Sequence, residues 1–236
     1  MLTIYKIDRN ELKPTPDKIA DVLYKGADRK TRDKYASSKQ FIERYEILLS
    51  KYTVMLQSNG VSEIIQNKDF RDIFYESLPE SSPIYKAADF WETGALFIAT
   101  IGPALEESVA QLTTNGHLTD ALFLDALGSV LVEETVERIQ KVWSGNVIKE
   151  SDFGRNVVPV RYSPGYCQWD VRAQEALFGY IGDKGIPVSL TSGGMMMPRK
   201  SISGIMVMER TDPGSSLVAS CRICGRKCEY MRVHNG

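Results

Sequence analysis

Arg161-Tyr162-Ser163-Pro164-Gly165-Tyr166 places a fixed cation three residues ahead of a Pro-Gly step that is followed directly by an aromatic. A guanidinium matches a carboxylate through two parallel N–H donors. Pro-Gly suits a type II turn, in which the glycine takes a positive φ, and Gly165 lets backbone groups approach a ligand with no Cβ in the way. The hexapeptide is therefore a cradle for a small anionic ligand or, on these residues alone, a surface turn with a solvated arginine.

About thirty residues later comes a second unusual stretch, Leu190-Thr191-Ser192-Gly193-Gly194-Met195-Met196-Met197-Pro198-Arg199-Lys200-Ser201-Ile202-Ser203-Gly204. Three successive methionines fill a core or offer flexible thioethers to a partner. Near the C-terminus Cys221-x-x-Cys224-x-x-x-Cys228 supplies three thiolates, one short of a tetrahedral set. Cys167, beside Tyr166, completes a zinc or iron–sulfur site if the tail folds back, and an iron–sulfur centre there would carry electrons. Reduced or incidentally paired thiols are the alternative. The two histidines, His117 and His234, read as solvated. No catalytic triad, general acid and base pair or phosphate-binding glycine loop stands out.

These residues need elements to position them. Leu2–Asp8 alternates as a strand, and Lys18–Tyr24 forms a short helix ending near Gly26. From Arg29 to about Leu56, Phe41, Tyr45, Leu48, Leu49 and Tyr52 recur at helical spacing. Asn59-Gly60 signals a turn, Ile64-Ile65 a short strand, and Phe70–Tyr75 a helical turn. Ala95–Ile101 is a continuous apolar run of the buried-strand type. A helix from Pro103 to about Thr113 and a second from Leu118 to Trp143 follow, the latter the central helix, with Asp125 and Gly128 inside it. A glycine within a helix costs roughly 1 kcal/mol relative to alanine, which points to close packing at Gly128. A loop at Ser144–Arg155 leads to a strand at Val157–Val160. Asp170–Ile181 reads as a helix, and Pro187–Leu190 and Ile202–Met208 read as strands joined by a hairpin or wider turn. Long helices with scattered strands give an α+β class. The expected organisation is an N-terminal region over 1–90 packed on a core over 91–210, with a loop-like cysteine-containing tail over 211–236.

With 236 residues, 43% hydrophobic and 25% charged, the chain can bury a sizeable core. Its net charge of -1, from 29 basic and 30 acidic residues, leaves no electrostatic footprint for nucleic acid or an anionic membrane. No apolar run approaches the roughly 18 residues of a spanning helix, and the N-terminus lacks a signal-peptide pattern. The expectation is a cytoplasmic protein whose specificity comes from a site.

Three islands, Arg161-x-x-Pro164-Gly165-Tyr166, the Leu190–Gly204 segment, and Asp125-Ala126-Leu127 preceded by Ala99-Thr100-Ile101-Gly102, together resemble the activation (reactivation) domain of cobalamin-dependent methionine synthase. The resemblance spans roughly residues 95 to 210. It implies an α+β fold with long helices on a twisted, mainly antiparallel sheet, and S-adenosylmethionine (AdoMet) as ligand. The role it implies is support for reductive methylation of cob(II)alamin on a partner corrinoid methyltransferase, with a separate electron donor and the domain delivered in trans. By that analogy Arg161 binds the AdoMet carboxylate, the backbone of Ser163, Pro164, Gly165 and Tyr166 meets the adenosine, and Tyr166 lies near the corrin. Lys200 and Arg199 would pair with corrinoid phosphate or propionamide groups or remain in a solvated loop. Ser129 stands where the family carries a helical glutamate; Asp125, one turn earlier, or Asp89 could substitute, and a helix-exposed aspartate with no ligand role is the alternative. A docking module that caps a corrinoid protein without AdoMet, and a metal or redox protein working through the cysteine tail, remain the other readings.

Overall fold

The computed structural model describes residues 1–150, 157–182 and 184–210. In chain order its elements are β1 (Leu2–Lys6), α1 (Pro16–Leu23), α2 (Arg29–Ala36), α3 (Lys39–Tyr52), β2 (Asn59–Gln66), α4 (Asn67–Phe74), α5 (Pro83–Ala87), β3 (Thr93–Thr100), α6 (Ala104–Thr114), α7 (Leu118–Glu150), β4 (Val157–Tyr162), α8 (Ala173–Ile181), β5 (Ser189–Leu190), β6 (Met196–Met197) and β7 (Ser201–Arg210). Five strands form one sheet in the order β1-β2-β3-β7-β4, with every neighbouring pair antiparallel. The class is α+β, as the sequence led one to expect.

Strand alternation divides the sheet into two buried faces. Ile205 and Val207 of β7, with Val160 and Tyr162 of β4, join Phe70, Phe74, Trp169 and Leu177 under α4 and α8. Met206 and Met208 point the other way, against Val136, Ile139 and Trp143 of α7. A third core lies beyond the sheet, where Ile19, Phe41, Leu48 and Leu105 close on Leu124, Leu127 and Leu131 of α7. The central strand β3 is buried along nearly its whole length because it receives helices on both faces.

Several boundaries differ from the sequence reading. The expected helix from Arg29 to Leu56 breaks at Ser37 and Ser38, whose hydroxyls donate to the carbonyls of Asp33 (2.8 Å) and Tyr35 (2.8 Å) and so compete with helix continuation. Asn59-Gly60 opens β2 instead of turning. At Gly60 a Cβ would come 2.3 Å from Ile139 Cδ1, so the missing side chain admits α7 onto the sheet. The long helix passes Trp143 and runs to Glu150, into the segment expected to be a loop. The Pro187–Leu190 segment does not pair with β7. Its strand β5 pairs with β6 in a small separate ribbon, which leaves Met195 and Met197 exposed and not filling a core.

Candidate ligand site

Arg161 is the penultimate residue of the edge strand β4. Its neighbours Val160 and Tyr162 face the α8 side, while Arg161 faces α7. Tyr162 completes the anchoring of this strand: its hydroxyl hydrogen-bonds the fully buried Glu209 of β7. Directly beyond, Gly204 of β7 lies so close to β4 that a Cβ would be 2.0 Å from the Tyr162 carbonyl oxygen. The strand carrying Arg161 is thus fixed from both ends of the β4–β7 contact.

The chain then turns. Tyr166 N–H donates to Ser163 C=O (3.2 Å) around Pro164 and Gly165, and Gly165 has φ +93°, the geometry anticipated for Pro-Gly. Gly165 N–H donates to Trp169 C=O (2.7 Å) and Trp169 N–H to Tyr166 C=O (2.9 Å). Trp169 is buried, its ring edge-on to Phe70 (5.6 Å) and Phe74 (5.1 Å). Between these anchors Cys167 and Gln168 hold left-handed φ values of +52° and +66°, which cost about 1–3 kcal/mol each and persist only when the surroundings enforce them. Ser82 Oγ donates to the Cys167 carbonyl (2.8 Å), and Asp170 N–H to Ser77 C=O (2.9 Å). The result is a stiff loop that leaves Tyr166 exposed. At its far end the Arg172 side chain, and then its backbone N–H, hold the Asp170 carboxyl down to about 2.

Opposite Arg161, α7 is buried through its middle except along one polar stripe, Asp125, Ser129 and Glu133. The i, i+4 spacing puts them on successive turns of one face. Glu133 Oε2 accepts from Arg161 Nη2 at 3.0 Å; the arginine side chain is 17% exposed and the glutamate 55%. Lys200 holds the other end of the stripe, with Nζ 2.8 Å from Asp125 Oδ1 and 2.9 Å from Ser129 Oγ. Its backbone is tied as firmly: Lys200 N–H donates to Glu106 Oε1 (2.5 Å), and its carbonyl accepts from Ile101 N–H (3.3 Å). A Cβ on Gly128 would lie 3.3 Å from both Lys200 Cε and Leu105 Cδ2. That is the close packing expected of a glycine inside this helix.

The structure therefore brings Arg161 and Asp125 to one stripe, with the Ser163–Tyr166 turn following Arg161. Asp89 is engaged elsewhere, in an ion pair with Arg71 (2.6 Å). Lys200, read as a corrinoid contact or part of a solvated loop, has a side chain only 12% exposed. Glu133 was missed, although the polar i, i+4, i+8 series in the otherwise apolar stretch 121–133 was the signal for it. Of the expected metal ligands, Cys167 sits exposed in the strained loop, and Cys221, Cys224 and Cys228 lie outside the described residues. Among the described residues no group of three or more His, Cys, Asp or Glu side chains is arranged to hold a metal, and no helix is long and apolar enough to cross a membrane.

The family model for the activation domain of vitamin B12 dependent methionine synthase matches residues 84–216. The chain belongs to this family. The match takes in the whole Asp125–Glu133 stripe, Arg161 with its turn, and Lys200. A solved structure, the MetH reactivation domain bound to AdoHcy, has the same fold, with a TM-score of 0.57 at 15% sequence identity, covering 88% of this chain and 78% of that one. No curated protein matches the sequence. The fold likeness extends the activation-domain architecture beyond the family match to the N-terminal elements.

Proposed function

We propose that this activation domain binds AdoMet against the α7 stripe and presents its methyl group to the cobalamin of a partner methionine synthase or related corrinoid methyltransferase. The observation that carries the reading is the placement of Arg161. It is a fixed cation at the end of a locked strand, directly before a stiff turn, held by one glutamate that is itself half-exposed. A carboxylate can displace such a partner at small cost, because exposed ion pairs contribute about 0–1 kcal/mol.

In this reading Arg161 receives the AdoMet carboxylate, and the backbone of Ser163, Pro164, Gly165 and Tyr166 lines the adenosine. Tyr166 stands exposed where the corrin would approach, and Asp125, paired with Lys200, closes the far end of the stripe. Met195 and Met197 offer the docking partner an adaptable apolar surface. The methyl acceptor is the partner's cobalt. The partner's cobalamin, given one electron by an external reductant, would supply the nucleophile for the sulfonium methyl group, and AdoHcy would remain on this chain. No nucleophile is required of this chain; its residues orient the ligand and exclude water.

The test is calorimetric titration of the full chain with AdoMet and AdoHcy, followed by anaerobic methylation of a partner's cob(II)alamin with a chemical reductant. Binding together with AdoMet-dependent loss of the cob(II)alamin spectrum supports the proposal. Absence of binding defeats it.

A further inference from the structure

AdoMet and AdoHcy carry an ammonium beside their carboxylate, so a site that places the carboxylate on Arg161 must offer that ammonium an acceptor close by. Asp125 and Ser129 both face Lys200, whose Nζ lies 2.8 and 2.9 Å from them. That lysine is not readily removed. Its stem lies over Gly128, its backbone is bonded on both sides, and its side chain is nearly buried. Asp125 is, in addition, two helical turns from Glu133, about 12 Å along the axis at 1.5 Å per residue. A single amino-acid end, with its charged groups a few ångströms apart, does not reach from Arg161 to Asp125.

Glu133 is in contact with Arg161 already, at 3.0 Å, and is 55% exposed, so its carboxylate can rotate without losing a buried environment. We infer that Glu133 is the ammonium-binding residue of the site: the zwitterionic end of the ligand inserts into the Arg161–Glu133 pair, its carboxylate on the guanidinium and its ammonium on the glutamate. One ion pair becomes two, with no charge left unmatched. Lys200 meanwhile keeps Asp125 and Ser129 out of the exchange, so the recognition of the amino group falls to a residue one turn beyond Ser129.

This inference rests on the proposed function, and the sign of one substitution separates the two. The probes are AdoHcy and its deaminated analogue, 5′-S-(3-carboxypropyl)-5′-thioadenosine, titrated into the full chain and into Glu133→Gln. If Glu133 binds the ammonium, the variant loses about tenfold in affinity for AdoHcy, the low end for a charge-assisted hydrogen bond. It binds the deaminated analogue at least as well as the native chain does, because Arg161 is released. If Glu133 merely competes for Arg161, the variant binds both probes as well as or better than the native chain, and the inference is overturned while the proposed function stands. If the native chain binds neither probe, the proposed function falls and the inference with it. Glu137→Gln, one turn further along and facing Lys18, serves as the control and leaves both affinities unchanged.

Discussion

Gly204→Ala should loosen the β4–β7 contact that fixes Arg161. An alanine Cβ at this position would lie 2.0 Å from the Tyr162 carbonyl oxygen, 3.0 Å from its carbon and 3.1 Å from Ser163 Oγ. Ordinary contact begins near 3.4 Å, so β4 must retreat by about 1.4 Å, and since the nearest atoms are backbone no rotamer change relieves the overlap. An edge strand can yield, so the chain should still fold, at a cost near the upper end for overpacking, about 3 kcal/mol. At about 2–4 °C per kcal/mol for a chain of this size, the melting temperature falls by about 6–12 °C. Gly60→Ala provides the internal comparison. Its Cβ would meet Ile139 Cδ1 at 2.3 Å, but that atom ends a flexible side chain, and about 1 kcal/mol is expected. Urea unfolding of both variants measures the difference, with the m-value checked for constancy. The reasoning fails if Gly204→Ala is within about 0.5 kcal/mol of the native chain, or is milder than Gly60→Ala. The retreat should also show at the ligand: at temperatures where Gly204→Ala is fully folded, its AdoHcy affinity falls, while that of Gly60→Ala does not.

Arg161→Met should leave stability within about 1 kcal/mol of native, as expected for a partly exposed pair, and weaken AdoHcy about 10- to 100-fold by calorimetry. Trp169→Ala removes the anchor of the strained loop and should cost about 3–5 kcal/mol in urea unfolding. Asp170 should titrate at about 2 by carboxyl NMR. Because its folded-state value lies below the ordinary aspartate value of 3.8, its contribution to stability is complete above that value and is lost as pH falls through about 2. In Arg172→Met the midpoint should return towards the ordinary aspartate value.

The parts of the fold written in local pattern were legible. The apolar run at Ala95–Ile101 is the buried β3, and the glycine inside the long helix does mark a close approach, one made by Lys200. Pro164-Gly165 is a type II turn because its residue types admit little else. What local pattern does not encode was missed. Ser37-Ser38 breaks a helix whose apolar periodicity continues through it, since two hydroxyls take the last carbonyls of α2. Gly60 resembles a turn residue, and only the distant Ile139 reveals it as a notch. Glu133 is an ordinary charged residue in the sequence, and its meaning comes from Arg161, brought opposite by the β4–β7 pairing. Lys200 likewise looked like a loop cation until Gly128 made room for its stem.

The shared use of α7 bears on how far the site can be carried elsewhere. Its first half is enclosed by Ile19, Phe41 and Leu48, contributed from before residue 84, together with Ile101 and Leu105 from after it, and its second half by the sheet. The stripe lies on the first of these segments, ending where the second begins. The stretch that carries the family's sequence signature therefore contains only part of its own support. Grafted or expressed alone, it would expose the leucine flank of α7 and lose the alignment of Asp125, Ser129 and Glu133 with the strand beside them. In the proposed reading recognition is a property of helix and scaffold jointly, and the earlier third of the chain, silent in motif, sets the bearing on which the later part works.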